Sequence, residues 1–243
     1  MRTLIISDIH ANLTALDAVL QDAGNYDRVW CLGDVVGYGP DPNQCIERIR
    51  DQPGLQCIKG NHDAAILGEI PITSFNNEAR NSLEWLQSAL TDDNRHWLSK
   101  LAERIEMDGI TLVHGSPRNP IWEYIMDLVS AFENMIEFST SICLVGHTHV
   151  QGVFKLENPG HDSARFITPQ PGKPFSLEDK SILNPGSVGQ PRDHDPKAAY
   201  CIYDDEQSQW IFHRVAYDFN QVQRRIFSNG LPKRHASRLA HGY

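Results

Sequence analysis

Five short apolar runs in this chain each end in residues able to hold a metal ion or move a proton. Asp8-Ile9-His10 follows the first run and Gly33-Asp34 the second. Gly60-Asn61-His62-Asp63, His114-Gly115 and Gly146-His147-Thr148-His149 follow the other three. Each piece alone has a bland explanation. Asp-x-His at a strand end is commonly a turn or cap, Gly-Asp a turn, a lone His a satisfied core residue, and a His pair surface decoration. Five in succession at strand ends are different, because the carboxyl ends of neighbouring strands in an open α/β sheet converge on one crevice. Asp, Asn and His gathered there are oxygen and nitrogen donors that suit Mn, Fe, Zn or Ni rather than a thiolate-bound metal, with manganese favoured. A carboxylate such as Asp34 can bridge two ions, and paired ions clamp the attacking and leaving oxygens of a phosphoryl displacement.

The elements that must position these residues are legible as short periods. Residues 3–7, 28–32, 55–59, 109–113 and 141–145 are expected strands. Helices are expected after the Asn12 cap (with Leu13, Leu16 and Leu20 on one face), to about Arg50, and over 76–90, 92–101 and 126–138. Beyond residue 146 short strands recur at 150–155, 165–168, Ser181–Asn184, 198–203 and Gln209–Val215, and a last helix covers about 219–227. A parallel first half joined to an antiparallel second half implies two packed sheets with helices outside, within one domain spanning 1–243. The aperiodic stretch 68–81 is long enough to cap a crevice. The basic stretch 230–238 reads as a mobile tail; the alternative is a short docked helix anchored by Leu231 and Leu239.

The order D-x-H, G-D, G-N-H-D, H-G, G-H-T-H resembles the calcineurin-like metallophosphoesterase superfamily. Asn184-Pro185-Gly186-Ser187 and the overall length resemble its compact bacterial and archaeal phosphodiesterase branch. The resemblance implies an α/β fold, a four-layer α/β/β/α sandwich of two mixed sheets flanked by helices. It implies one ion held by Asp8, His10, Asp34 and His149 and a second by Asp34, Asn61, His114 and His147. His62 would assist at the leaving group, with Asp63 holding its imidazole and raising its pKa. The attack implied is that of a metal-bridging hydroxide, in line, on a phosphodiester.

Two departures bear on substrate. Relatives of the protein-phosphatase and symmetric dinucleoside-polyphosphate branches carry Gly-Asp-x-Val-Asp-Arg-Gly, whose Arg grips phosphate; here Tyr38 stands at the arginine's place. The third motif ends in Asp63 where those branches have Glu. Tyr38 is therefore a candidate for contact with a base or aromatic leaving group, or else a loop residue packed on a helix. Arg192 is the candidate replacement grip, with Arg118 second, and Asn12 either caps its helix or also touches substrate. A phosphodiesterase is the first expectation. A dinucleoside polyphosphate (Ap4A-type) hydrolase or phosphoprotein phosphatase follows, and a catalytically silent binding scaffold is the non-enzyme alternative.

The chain is acidic: 31 Asp plus Glu against 22 Lys plus Arg across 243 residues, a net charge of -9. That balance argues against a groove for duplex nucleic acid, whose affinity rests on basic side chains. It leaves a small phosphorylated substrate, possibly a nucleotide, as the expected partner. Five cysteines without C-x-x-C spacing, and no signal peptide or membrane span, point to a cytoplasmic protein.

Overall fold

The computed structural model describes residues 1–156, 164–177 and 180–243. In chain order the elements are β1 (Arg2–Ile6), α1 (Leu13–Asp22), β2 (Arg28–Cys31), α2 (Pro42–Arg50), β3 (Gln56–Cys57), α3 (Asn61–Ile66), a 3-10 turn (Ile72–Ser74), α4 (Asn77–Ala89) and α5 (Asp92–Ser99). Then come β4 (Arg104–Met107), β5 (Ile110–Val113), α6 (Leu128–Met135), β6 (Ile142–Leu144), β7 (Gly152–Leu156), β8 (Ala164–Ile167) and β9 (Pro174–Phe175). The last are β10 (Ser181–Asn184), β11 (Ala198–Asp204), β12 (Gln209–Val215), α7 (Phe219–Ser228) and α8 (Lys233–His241).

Two six-stranded mixed sheets form, in the orders β3-β2-β1-β11-β12-β9 and β4-β5-β6-β10-β7-β8. Ile5, Trp30, Leu32, Leu112, Leu144, Leu183 and Phe212 fill the space between them. Leu4, Ile6, Leu16, Val19, Ile46 and Leu83 pack helices on the outer face of the first sheet. Val113, Ala131, Met135, Cys143 and Ile182 pack α6 on the outer face of the second. The four-layer expectation holds. The division of labour does not: the antiparallel second half forms no sheet of its own. β11 inserts beside β1, antiparallel, while β10 lies parallel to β6.

Helix starts follow local chemistry. The side chains of Asn12, Asn76, Thr91 and Asp218 accept from Ala15, Ala79, Asn94 and Gln221 N–H, satisfying donors that a helix leaves orphaned at its start. The expected mobile tail is instead α8, which packs on α7 with Leu231, Ala236 and Leu239 buried. Those three apolar positions drive the docking, and Gly242 closes the helix in the left-handed conformation with its N–H on Arg238 O.

The parallel strands β1, β2 and β3 and the parallel strands β5, β6 and β10 direct their carboxyl ends to one rim. His114 Nδ1 donates to Leu32 O at 2.8 Å and so ties the second sheet to the first at that rim. Among the described residues no helix is long and apolar enough to cross a membrane.

Candidate metal centre

All seven expected metal ligands are buried and meet at this rim. His149 Nε2 lies 3.3 Å and His10 Nε2 3.8 Å from Asp8 Oδ1. Asp34 Oδ2 sits 3.6 Å from His10 Nε2 on one side and 3.4 Å from His114 Nε2 on the other. Asn61 Oδ1 and His147 Nδ1 complete the second group at 3.1 and 3.2 Å from His114 Nε2. Asp34 thus stands between an Asp8–His10–His149 cluster and a His114–His147 cluster.

The far nitrogen of each imidazole is committed to a main-chain carbonyl. His10 Nδ1 donates to Val36 O (3.3 Å), His149 Nδ1 to Gln190 O (2.5 Å) and His147 Nε2 to Trp122 O (3.1 Å). A carbonyl can only accept, so these nitrogens carry the protons and the near nitrogens turn lone pairs inward, as metal-ligating histidines do. The near nitrogens of His10 and His149 are 3.0 Å apart, two lone pairs face to face. A cation between the clusters relieves that repulsion.

Titration follows the same logic. Burial, aided by the neighbouring histidines, pushes His10 and His147 well below the usual imidazole range. Burial disfavours charge on His114 too, but the Asp34 carboxylate, followed by Asp8, overrides it and raises His114 to about 10. Against burial, His149 and His114 hold Asp8 down at about 2. The centre is two carboxylates that must find positive charge, set among imidazoles that mostly cannot supply it. The donor set fits two divalent ions, and none of its ligands is a thiol: the five cysteines are free and buried elsewhere.

The backbone is bent to achieve this. Asp8, His10, Asp34, His147 and His149 all have left-handed φ, between 49° and 65°. Such conformations are costly for residues with a Cβ and cluster where function over-determines them. Gly60 permits a close approach, since a methyl group there would fall on the Asp34 carboxylate.

The remaining expectations divide. His62 is buried and lines the crevice, between His10 (5.0 Å, edge-on) and Phe75 (5.0 Å, edge-on). Asp63 does not hold its ring. The Asp63 carboxylate accepts from Val35 N (3.3 Å), Val36 N (3.1 Å) and Gly60 N (3.0 Å), while His62 Nδ1 has no partner. Burial therefore wins at His62 and pushes it down to about 4, the reverse of the expected rise. Asp63 is a strut between the second and third motifs. Asp63→Ala strands up to three buried N–H groups at roughly 1–3 kcal/mol each. We expect it to lower stability by about 3 kcal/mol or more, read by urea unfolding in chelator. A change under about 0.5 kcal/mol would contradict the strut.

Asn12 is committed at both ends of its amide, capping α1 through Ala15 N and donating to Gly189 O at 2.9 Å. Both ends of that amide are thus engaged within the fold. Arg118 is drawn off by Glu123 and Glu133 into an exposed ion-pair group. Arg192 lines the crevice, with Nη2 donating to Tyr38 Oη (3.3 Å) and Gln190 Oε1 (3.0 Å) and no carboxylate partner among the described residues. The Tyr38 ring packs against His62 (4.4 Å), His10 (4.6 Å) and His235 (4.8 Å), so it is a wall of the site and a rest for Arg192.

The crevice, about 240 Å³, has aromatic walls that the sequence reading missed, Trp122 and Tyr124. Tyr124 stacks on His147 at 3.7 Å. The aromatic pair Trp122/Tyr124 in the irregular run between the fourth motif and α6 was the available signal. The expected capping stretch 68–81 lines it through Ser74, Phe75, Asn76 and Ala79, the last of these in α4.

Fold and centre together define a hydrolase scaffold with a His/Asp cluster that could hold metal. The chain belongs to the calcineurin-like phosphoesterase superfamily, whose domain model matches residues 1–208. It is 37% identical to MJ0912, an uncharacterized protein of Methanocaldococcus jannaschii, over 97% of this chain and 96% of that one. It resembles the crystal structure of a metallophosphoesterase from Sphaerobacter thermophilus, with TM-score 0.90 and 41% identity over 100% of this chain and 99% of that one. A symmetrical bis(5'-nucleosyl)-tetraphosphatase of Proteus mirabilis is 28% identical over 51% of this chain; the match spans 47% of that relative.

Proposed function

We propose that the chain is a dimetal-dependent phosphoesterase that hydrolyses a phosphodiester in a small, nucleotide-like substrate. One observation carries the reading: two inward-facing ligand groups sharing Asp34 open on a crevice lined by His62 and Arg192. Asp8, His10, Asp34 and His149 would hold one ion and Asp34, Asn61, His114 and His147 the other. Bound there, two divalent ions supply positive charge against phosphate oxygens and make water more acidic. Manganese suits the mixed nitrogen and oxygen donors.

The chain's own residues do the rest. Arg192 offers two N–H groups to non-bridging oxygens, oriented by Tyr38 and Gln190. His62 gives a proton to the departing oxygen. Phe75, Trp122 and Tyr124 offer faces for a base or aromatic leaving group. These walls leave little room for a phosphoprotein loop. A silent scaffold is disfavoured because every ligand position is kept. A dinucleoside polyphosphate remains the second reading, favoured by the similarity to the P. mirabilis tetraphosphatase. Residues 1–243 are read as one domain because β11 and β12 complete the sheet that β1 begins. A cytoplasmic setting suits five free, buried thiols.

The test is hydrolysis of bis-p-nitrophenyl phosphate and p-nitrophenyl phosphate with added Mn²⁺. The diester is expected to be the better substrate, and chelation to cut turnover by about a hundredfold or more. No turnover with Mn²⁺, Fe²⁺, Zn²⁺ or Ni²⁺ would overturn the reading.

A further inference from the structure

The last two helices grip two loops of the crevice. Arg225 of α7 donates to both carboxylate oxygens of Asp41, at 2.9 and 2.8 Å, and so fastens the hairpin to the loop that carries Tyr38. Past the end of α8, Gly242 O accepts from His194 N at 2.8 Å, two residues beyond Arg192. The backbones are so close there that a methyl group on Gly242 would fall on the main-chain atoms of Asp195. Within the hairpin, Gln223 of α7 donates to Ala236 O at 2.8 Å. The α7–α8 pair thus holds both loops whose side chains, Tyr38 and Arg192, line the crevice.

Between these two anchors in the chain stands His235, which is 3% exposed. Its ring centroid lies 4.8 Å from that of Tyr38, and its Nε2 donates to Glu78 O (3.2 Å) in the first turn of α4. That carbonyl also accepts from Ser82 Oγ at 3.1 Å, so the bond fixes the imidazole more than the carbonyl requires it. The space left beside His235, Tyr38 and His10 is about 10 Å³, too small for another side chain. Tyr38 needs such support. Its φ is 48°, left-handed and costly for a residue with a Cβ, and such a conformation persists where neighbours over-determine it. Its hydroxyl accepts from Arg192 Nη2 at 3.3 Å, and the guanidinium lies 5.7 Å from its ring centroid. Arg192 Nε is buried without an acceptor, so among the described residues Tyr38 and Gln190 set the plane of this guanidinium. The line of contact runs from the His235 ring to the Tyr38 ring to Arg192.

We propose that His235 is a positioning residue for the phosphate grip: it holds the Tyr38 ring in place, and Tyr38 in turn aims Arg192. The α7–α8 hairpin is thereby part of the site, although it supplies no group to the reacting atoms. This rests on the phosphoesterase reading for its kinetic meaning. Arg192 meets non-bridging oxygens in the ground state and in the transition state alike. Misaiming it therefore weakens binding throughout, which raises KM and leaves kcat nearly unchanged.

The test reads KM and kcat for bis-p-nitrophenyl phosphate in Mn²⁺. Beside them it follows the nitrogen–proton NMR signal of Arg192 Nε, assigned by its loss in Arg192→Lys. His235→Ala is expected to raise KM about tenfold, the scale of one weakened charge-assisted hydrogen bond, with kcat within about threefold. His235→Phe keeps a ring against Tyr38 and should restore most of the loss. His235→Gln keeps a donor for Glu78 O without the ring and should not. In a Tyr38→Ala chain, His235→Ala should change KM by less than about twofold, because the intermediary is gone. The Arg192 signal should shift in His235→Ala and in Tyr38→Ala and stay in place in His235→Phe. An unchanged KM in His235→Ala, rescue by Gln but not by Phe, or a loss that persists in the Tyr38→Ala chain overturns the proposal. Should His235→Ala fail to fold, the contrast between the Phe and Gln variants decides in the same way. The NMR arm needs no turnover. A chain inert with every metal but with a His235-dependent Arg192 signal loses the function and keeps the positioning. Turnover with KM and signal both indifferent to His235 does the reverse.

Discussion

Asp34→Asn is expected to reduce turnover of bis-p-nitrophenyl phosphate to about a thousandth or less and to leave at most one ion per chain. The magnitude follows from position. Among the described residues Asp34 is the only carboxylate within 3.6 Å of imidazole nitrogens from both clusters, so both proposed ion sites lose charge together. A metal site deprived of a shared anionic ligand loses affinity on both sides, and removing a group essential to charge stabilisation costs several kcal/mol of barrier. Asparagine keeps the shape and can still accept from His62 N, a bond of 2.8 Å in the wild-type chain. Folding should therefore survive, and the loss can be assigned to charge. Metal analysis by mass spectrometry after exhaustive dialysis against Mn²⁺ gives the count. Two ions per chain in the variant, or turnover within tenfold of wild type, would remove Asp34 from its bridging place.

This centre could be read from the sequence because its residues interrupt hydrophobic strands. A carboxylate or imidazole straight after a run such as Leu4-Ile5-Ile6 has no packing reason to be there, and the strand end fixes where it points. Residues whose role depends on contacts between distant segments left no such trace. Asp63 follows His62 in sequence, yet α3 turns its carboxylate back to the N–H groups of Val35, Val36 and Gly60. Tyr124 reaches His147 only because an irregular segment folds across the rim.

The fold was legible to the same depth. Buried strands were found within a residue or two. β4 was missed because its edge position leaves it half-exposed and charged, and β9 because it is two residues long and starts with proline. Helix α8 stood only as the alternative to a mobile tail because of its basic composition, although Leu231 and Leu239, the expected anchors, are buried with Ala236. Sheet membership was beyond reach. Nothing local in 198–203 tells it to pair with β1 rather than with the strands that precede it.

The second large effect concerns His62. Its imidazole lies in the crevice beside Tyr38, His10 and Phe75, sealed at Nδ1, which leaves Nε2 as the nitrogen for substrate. No main-chain carbonyl is bonded to either ring nitrogen, unlike the four histidines of the metal set, so nothing fixes this ring as a ligand. With its imidazole held at about 4 by burial, the proposed acid takes up its proton only beside the charge of a bound phosphate. His62→Ala is expected to lower kcat by about a hundred- to ten-thousandfold, the range for a positioned acid, with metal content unchanged. The size of the loss should depend on the leaving group. A p-nitrophenolate departs with little help, whereas an alkoxide or ribose oxygen needs its proton, so the variant should lose most on an alkyl phosphodiester. If the loss is the same for both leaving groups, His62 stabilises charge on the phosphate instead of protonating the departing oxygen. If His62→Ala also sheds an ion, the ring belongs with the Asp34 and His10 donors that surround it, and the crevice has a different acid.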